Sequence, residues 1–341
     1  MGSRVSIVED RIGPLPWIKL SGEREAVSFA LGERSADELR SVISASPELP
    51  ALQEMIREPG FSEISEDTRG AFPDLAQEVD SLAAGAGVDP TDLWLLNLRG
   101  DLGVWGEGCS DVAVWNGVSQ LMAHNEDGHE SYYGKCAVLT LDIPGDPAVF
   151  TFWYPGLLPG ISFWLNSSGL AGGVNHIPSR PVGAGVGRHF LARHLSRATS
   201  KATAMFAAEA TSLAGCYAFT LGTGGDGISL LEVSPVGTYT RDVSGSSCHT
   251  NHFVGLAPDM PPDPESLDRL ARLQPVVPNL ASADDLLDVM SRPGLWRNGE
   301  GAGQVTLCTF VVDFVTSRVH IRPRGAANGR TMSFDELCSV T

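Results

Sequence analysis

The chain has 341 residues, of which 43% are hydrophobic and 38 are glycine, enough for a large core with many turns. Its formal net charge of −17 argues against nucleic acid or an anionic membrane surface as the main partner, and mildly favours cationic small molecules. No apolar run is long enough to cross a bilayer, and the first residues show no signal-peptide pattern. We therefore expect a cytoplasmic protein with no nucleic-acid or membrane partner.

The first hundred residues are predicted to be mainly helical. Ser35, followed three residues later by Glu38, matches a capping box. Asp89-Pro90 matches a cap followed by proline at the first helical position. The patterns in this region predict one short strand at 17–20 and helices from 35, from 50, across 64–84 with an interruption at Pro73, and over 91–98.

After Cys109 the pattern changes mainly to strands. Alternating or continuous apolar runs predict strands at 110–115, 118–124, 136–143, 148–154, 161–165, 170–175, 216–222, 228–234, 248–254, 305–315 and 318–322. Helices are predicted near 187–197, 200–211, 264–274 and 282–291. This order suggests two packed sheets with helices outside. Because no repeat or low-complexity linker appears, we expect one α+β domain over residues 1–341.

A predicted hairpin organises the centre of the chain. An Asn-Gly pair between two strand-like runs is a strong signal for a two-residue turn, and it would pair Trp115 with Val118. Counting back along both strands then places Cys109 opposite His124, with Asp127 just past the strand end. The pattern therefore predicts a thiol, an imidazole and a carboxylate at one sheet edge.

Several motifs occur in an order that is familiar from one enzyme family. They are Ala84–Val88 leading to Leu96–Arg99, Gly108-Cys109-Ser110, His124-Asn125-Glu126-Asp127-Gly128, Gly169–Asn175 and Cys248–Phe253. Together they resemble the acyl-CoA:6-aminopenicillanic acid acyltransferase family of N-terminal nucleophile (Ntn) hydrolases, which also includes β-alanyl-dopamine and carcinine hydrolases. The resemblance extends from about residue 80 to residue 315.

This resemblance implies a four-layer αββα sandwich and maturation by self-cleavage. Cleavage of the Gly108–Cys109 bond would give a helical chain, 1–108, and a chain, 109–341, that begins with the nucleophile. The two chains would remain associated because each buries apolar surface against the other. Further association into a homo-oligomer stays open.

Cys109 is predicted to be the nucleophile, because a freed α-amine can act as the base for its own thiol. An α-amine titrates near pH 7.7–8.0, so it exchanges a proton with the thiol at neutral pH. Before cleavage the same thiol would attack the Gly108 carbonyl, and water would resolve the thioester. Glycine at 108 permits the close approach and the unusual backbone angles of that attack.

The acidic block after the hairpin supplies further candidates. The resemblance implies that Asp127 accepts a hydrogen bond from the α-amine of Cys109 and orients it. His124 either polarises the thiol or packs at the sheet edge, and both interpretations stay open. Glu126 is a candidate for binding an amine-bearing substrate, whereas Glu130 is expected to be solvated.

Asn251 is predicted from the resemblance to donate to the oxyanion. Such a donor stabilises the transition state by roughly 2.7–4 kcal/mol. Asn175 ends a glycine-rich segment that suggests a close approach of the backbone to the site. Asn175 and His249 are predicted to support the site or to contact substrate.

Other interpretations have weaker support. The six cysteines are widely spaced, which argues against a disulfide framework or a zinc site. A metal set could be drawn from the His and Asp residues 124, 127, 129, 249 and 252, but His249 and His252 are three apart and would face opposite sides of a strand. We predict no metal and no cofactor. Gly222–Gly227 superficially resembles a phosphate loop but lacks its Lys-Ser/Thr ending, so it is predicted to be a hairpin turn.

The expected activity is hydrolysis of a small N-acyl amine, possible substrates including β-alanyl amines, through a Cys109 thioester. The His-Asn-Glu-Asp-Gly form of the block, residues 124–128, resembles the β-alanyl-amine hydrolase branch. The alternative within the class is acyl transfer from a thioester or amide donor to an amine, peptide or β-lactam. Alternatives from other classes are a non-catalytic binding protein on the same fold and a metal-dependent amidase.

Overall fold

The computed structural model describes residues 5–104, 108–258, 260–299 and 303–340. Its strands are β1 (Ser6–Ile12), β2 (Leu15–Ser21), β3 (Gly108–Trp115), β4 (Gln120–His129), β5 (Ala137–Asp142), β6 (Val149–Trp153), β7 (Trp164–Asn166), β8 (Ala171–Ile177), β9 (Cys216–Thr223), β10 (Gly227–Ser234), β11 (Gly237–Asp242), β12 (Gly245–His249), β13 (Gln304–Asp313), β14 (Arg318–Pro323) and β15 (Arg330–Ser333). Its α-helices are α1 (Arg24–Arg34), α2 (Ala36–Ala45), α3 (Leu49–Glu54), α4 (Pro59–Ala71), α5 (Pro73–Ala86), α6 (Pro90–Leu98), α7 (Arg188–Ser196), α8 (Lys201–Ala210), α9 (Pro264–Leu273), α10 (Ala283–Met290) and α11 (Phe334–Cys338). In the part of the chain described, no helix is long and apolar enough to cross a membrane.

The strands form two sheets. One sheet has nine strands in the order β1-β2-β5-β6-β7-β8-β9-β10-β11, and the other has six in the order β12-β3-β4-β13-β14-β15. Neighbouring strands are antiparallel except β2 and β5, which run parallel with Trp17 opposite Val138. Through this pair the amino-terminal segment forms one edge of a sheet that otherwise comes from residues after Cys109.

The two sheets pack face to face and helices cover their outer faces. Between the sheets, Phe310 of β13 stacks on Phe163 with ring centroids 4.3 Å apart. On the outer face of the six-stranded sheet, Val112 and Val311 pack in one buried cluster with Met290 of α10. Helices α7 and α8 contact strands of the nine-stranded sheet. The predicted four-layer αββα sandwich is therefore confirmed.

The amino-terminal segment is mainly helical, as predicted, with six α-helices between residues 24 and 98. It begins with the β1–β2 hairpin, and the predicted strand at 17–20 lies within β2. Strand β1 was missed because six of its seven residues are exposed, so it has no alternation of apolar and polar residues. Helix α1 was missed because its buried face includes Ser28 and Gly32 beside Val27 and Leu31.

The predicted hairpin exists, but its predicted register is wrong by two residues. Trp115 pairs with Gln120, and Cys109 therefore lies opposite Glu126. His124 lies opposite Asp111. A shift of two residues keeps every side chain on the same face of the sheet, so His124 still faces the same side as Cys109.

The register follows from the side chain of Asn116. Its Oδ1 accepts hydrogen bonds from the N–H groups of Val118 and Ser119, at 3.1 and 2.9 Å. The Asn116 N–H donates to the Ser119 carbonyl at 3.2 Å, so the two turn residues are Gly117 and Val118. Gly117 has φ 88°, the positive φ that a type II′ turn needs at its first central position.

Two further boundaries matter for the site. Strand β12 ends at His249, earlier than the predicted 254, so Asn251 lies in the turn that follows. Strand β4 continues to His129, which places Asp127 inside the strand instead of beyond it. The predicted hairpin turn at Gly222–Gly227 is confirmed, because β9 and β10 pair antiparallel across it.

Gly173 of β8, in the nine-stranded sheet, lies against the Asp111 carboxylate of β3. A Cβ atom at this position would lie 2.6 Å from Asp111 Oδ1, nearer than a non-bonded contact allows. Only glycine therefore leaves room for the Asp111 carboxylate between the sheets.

We expect Gly173→Ala to lower the free energy of unfolding by about 1–3 kcal/mol, because overpacking displaces the buried carboxylate. Gly70→Ala is the matched control, since Gly70 lies in α4 with no atom within 4 Å of the added Cβ, and there alanine should be neutral or stabilising by up to about 1 kcal/mol. Urea unfolding of both variants measures the difference. Equal stabilities for the two variants would contradict the close approach.

Candidate active site

The site is built on the two faces of the β3–β4 hairpin. Cys109 and its neighbour Glu126 face the space between the sheets, where Glu126 meets Tyr154 of the nine-stranded layer. The alternate residues face the outer helices: Asn125 Nδ2 donates to the Met290 carbonyl at 2.9 Å. Because side chains alternate between the two faces of a strand, the thiol lies on one face of β3 and the residues that contact the backbone of Cys109 lie on the other.

His124 lies fully buried between two carboxylates. Its Nδ1 is 2.6 Å from Asp111 Oδ1 and its Nε2 is 2.8 Å from Glu126 Oε2. Burial would lower the pKa of His124, but the charge and hydrogen bond of Asp111 outweigh it and raise the pKa well above its usual value. Both ring nitrogens face carboxylate oxygens, an arrangement that favours the doubly protonated ring. Thr220 of β9 completes the group by donating to Asp111 Oδ2 at 2.8 Å.

The Cys109 thiol lies beside this group. Its Sγ is 3.9 Å from Glu126 Oε2, and the same carboxylate accepts hydrogen bonds from Tyr154, at 2.5 Å, and from Ser162. Burial, and then the negative charge of Glu126, raise the pKa of Cys109 to about 12. In the uncleaved chain the thiol is therefore protonated at neutral pH and is a poor nucleophile.

Asn251 and Arg269 hold the backbone of Cys109 from the other side. The Cys109 N–H donates to Asn251 Oδ1 at 2.9 Å, and the Asn251 Nδ2 donates to the His176 carbonyl at 2.8 Å. Arg269 of α9 donates to Asn251 Oδ1 at 2.6 Å, to Ser110 Oγ at 2.8 Å and to the Cys109 carbonyl. Both the oxygen and the nitrogen of the Asn251 amide thus have hydrogen-bond partners in this state, and its oxyanion role stays a prediction.

Asp127 lies on the same outer face. Gly108 is its partner across the β3–β4 pair, and Thr306 donates to its Oδ1 at 2.6 Å. Its buried Oδ2 has no hydrogen-bond partner among the residues described. Burial raises the pKa of Asp127 to about 6, against the positive charge of Arg269. The predicted role in orienting the amine of Cys109 is untested, but an acceptor oxygen is open beside Gly108.

Asn175 and His249 brace the turn that carries Asn251. Asn175 Nδ2 is 3.2 Å from His249 Nδ1, and His249 Nε2 is 3.1 Å from Glu232 Oε1. Glu232 also accepts the N–H groups of residues 254, 255 and 256. Burial would raise the pKa of Glu232, but these hydrogen bonds lower it. The structure thus links both residues to the position of Asn251.

Arg269 was missed by the sequence analysis, although the chain contains a signal for it. Ser266, Arg269, Leu270 and Leu273 form the buried face of α9, with the spacing of an apolar stripe. An arginine in such a stripe must find buried acceptors. Arg297 was missed as well: its Nη1 would lie 2.8 Å from a Cβ atom at Gly108. Tyr154 and Ser162 gave no local signal.

One group in the described part of the chain has the donor atoms and spacing of a metal site. The ligand atoms of Cys109, His124 and Glu126 lie within 4.8 Å of one another. Both Glu126 oxygens already accept hydroxyl hydrogen bonds, and both nitrogens of His124 are paired with carboxylates. These contacts favour a network of hydrogen bonds over a metal site. The other histidines considered lie elsewhere: His252 bonds to Ser266 and His129 to Ser131.

The αββα sandwich with a cysteine at the start of an inner strand is that of the Ntn amidohydrolases and acyltransferases, enzymes that act on the C–N bonds of amides. The model of the acyl-coenzyme A:6-aminopenicillanic acid acyl-transferase family matches residues 115–327, and the chain belongs to this family. The match begins six residues after Cys109, at Trp115.

Solved structures similar to this chain include a variant of conjugated bile acid hydrolase from Clostridium perfringens, with a TM-score of 0.48, 11% identity, and coverage of 68% of this chain and 94% of that chain. A second variant of that hydrolase has a TM-score of 0.44, 9% identity, and coverage of 67% and 94%. Penicillin V acylase from Agrobacterium tumefaciens has a TM-score of 0.44, 10% identity, and coverage of 68% and 89%. No curated protein sequence matches the chain.

We expect Arg269→Lys to lower the free energy of unfolding by about 1–3 kcal/mol, because a lysine cannot reach the three acceptors at once and leaves buried oxygens unpaired. Arg272→Lys is the matched control on the same helix: Arg272 is half exposed and pairs with Asp268, so the change should stay within about 0.5 kcal/mol. Urea unfolding compares the two. A harmless Arg269→Lys would argue against this buried anchor.

Proposed function

We propose that this enzyme matures by cutting its own Gly108–Cys109 bond and then hydrolyses a small N-acyl amine through a Cys109 thioester. The observation that carries the proposal is the set of side-chain contacts around this one peptide bond. Asn251 fixes the nitrogen of Cys109, two guanidinium groups border Gly108, and the thiol lies beside a buried carboxylate. A structural cysteine in a strand needs none of these contacts.

After maturation, the freed α-amine of Cys109 would take the thiol proton. Asp127, with its open Oδ2, would accept a hydrogen bond from that amine and orient it. Asn251 would be released from the former amide N–H, and its own NH₂ would turn to the substrate oxyanion. Attack on the amide carbonyl releases the amine, and water then hydrolyses the thioester.

The two processed chains would stay together, because contacts between them do not depend on the cut bond. Strand β2 pairs with β5 across the cleavage point. Buried Glu78 of the amino-terminal chain accepts two hydrogen bonds from Arg193 of the carboxy-terminal chain, both at 3.0 Å. Breaking such a buried pair costs several kcal/mol.

A cavity borders Gly108 on the side of β3 where Arg269 lies, opposite to the Cys109 thiol. It has a volume of about 440 Å³, within the range of small-molecule sites, and it is lined by Arg269, Arg297, Trp296, Glu265 and Asp268. Its two carboxylates are paired with arginines, Glu265 with Arg297 and Asp268 with Arg272, so our first substrate class, a β-alanyl amine, rests on the resemblance of residues 124–128 to the β-alanyl-amine hydrolase branch. The two arginines favour the second candidate, acyl transfer from an anionic thioester donor.

The first test is denaturing intact mass of the wild-type chain beside Cys109→Ala. We expect two fragments, 1–108 and 109–341, that elute together on native size exclusion, and a single 36.2 kDa chain in the variant. Cys248→Ala is the control, because Cys248 is a half-buried thiol on the neighbouring strand β12 and should mature normally. An unprocessed wild type would leave a non-catalytic binding protein as the better explanation.

The second test separates hydrolysis from transfer in the processed enzyme. We expect β-alanyl amines in water to release free β-alanine, because residues 124–128 resemble the β-alanyl-amine hydrolase branch. The same amount of enzyme with an acyl thioester and an acceptor amine should form little new amide, measured by mass spectrometry. Faster amide formation than hydrolysis would reverse the two candidates, and loss of activity with chelators would indicate a metal-dependent amidase.

A further inference from the structure

Self-cleavage of the precursor needs a base that the mature enzyme does not need. In the mature chain the α-amine of Cys109 is free and acts as the base. In the precursor the same nitrogen is an amide that donates to Asn251 and has no basic lone pair. Since burial raises the pKa of the Cys109 thiol to about 12, another group must take its proton before attack.

We propose that the carboxylate of Glu126 is the general base of self-cleavage, an inference that rests on the proposed maturation. Glu126 Oε2 is the carboxylate oxygen beside the thiol, 3.9 Å from Sγ. Glu126 lies opposite Cys109 in the β3–β4 pair, so backbone pairing fixes the approach of the two side chains. Contacts of this length in a resting site shorten when the reacting groups align.

The neighbouring ionisable groups described in the structure cannot take this role. Both ring nitrogens of His124 are occupied by carboxylate oxygens, so neither offers a free lone pair to the thiol. Asp111 lies on the Nδ1 side of His124, whereas the carboxylate oxygen that contacts the thiol belongs to Glu126. Asp127 faces the opposite side of the strand, where Thr306 binds it. The remaining neighbours, Tyr154 and the Cys308 thiol, are proton donors.

The network around Glu126 prepares it for this task. Tyr154 holds Oε1 at 2.5 Å, and Ser162 and His124 hold Oε2, so the carboxylate is fixed in one orientation. The positive charge of His124 also stabilises the thiolate as it forms. The network thus positions the base and lowers the cost of separating charge in a buried site.

The step balances as follows. The thiol proton moves to Glu126 while sulfur bonds to the carbonyl carbon of Gly108, and the carbonyl oxygen becomes an oxyanion. The C–N bond then breaks, Glu126 returns the proton to the leaving nitrogen of Cys109, and a thioester links Gly108 to the sulfur. One water hydrolyses this thioester, giving the Gly108 carboxylate and the free thiol.

The test is the rate of self-cleavage of freshly synthesised full-length chain, followed by denaturing intact mass. We expect Glu126→Gln to slow cleavage by about 100-fold or more, in the range of a general base. Glu130→Gln is the matched control, because Glu130 is exposed at the end of the same strand, and it should cleave at the wild-type rate. A folded Glu126→Gln chain that cleaves at the wild-type rate would overturn the proposal.

A second readout separates a base from a merely structural residue. In the chains of Glu126→Gln that do mature, the α-amine is the base, so the burst of p-nitrophenol from p-nitrophenyl acetate should fall by a clearly smaller factor than the rate of cleavage. An equal loss of burst and of cleavage would mean that Glu126 only shapes the site, and would sink the proposal.

A third variant covers a folding defect. If Glu126→Gln does not fold, Glu126→Asp decides the question: it keeps the charge but withdraws it from the thiol, so slow cleavage supports the base and wild-type cleavage excludes it. If the wild-type chain itself never cleaves, the proposed maturation fails first, and that result is distinct from failure of the base.

Discussion

The buried group of Asp111, His124 and Glu126 is the interaction on which the site depends. Three charged side chains lie between two sheets, where an unpaired charge costs several kcal/mol, so each must keep its partner. The nine-stranded sheet contributes the matching surface: Thr220 donates to Asp111, and Gly173 leaves room for its carboxylate. The group therefore fixes how closely the two sheets approach at the point where the nucleophile lies.

The same group sets the charges around the thiol. One positive charge lies between two negative ones, and the thiol beside them is buried next to a carboxylate, which keeps it protonated. A protonated cysteine reacts slowly with electrophiles, because reactivity follows the thiolate fraction. Chemistry starts only when a base is aligned with the thiol. Cleavage would then supply a new base, the amine, on the side of the strand where Asn251 and Asp127 lie.

The layers of the fold could be predicted from the sequence because the inner strands are long and apolar, as in β13, where nine of ten residues are buried. The hairpin register could not be predicted, since the side chain of Asn116 decides which two residues form the turn. Arg269 could have been predicted from the sequence, because an arginine in the apolar stripe of a helix needs buried acceptors. Tyr154 and Ser162 could not have been predicted, because tertiary packing alone brings them to Glu126.

The position of the proposed cleavage point would explain how the chain can be cut without losing its fold. Strand β2 precedes it and β5 follows it, yet they pair in parallel, and Glu78 and Arg193 form a buried ion pair across it. A cut between Gly108 and Cys109 therefore changes the charge of the site more than its architecture. A new carboxylate would form beside the guanidinium groups of Arg297 and Arg269, and a new amine would form near Asp127. Each new charge would meet an opposite charge that the precursor already holds in place, which favours the cleaved state.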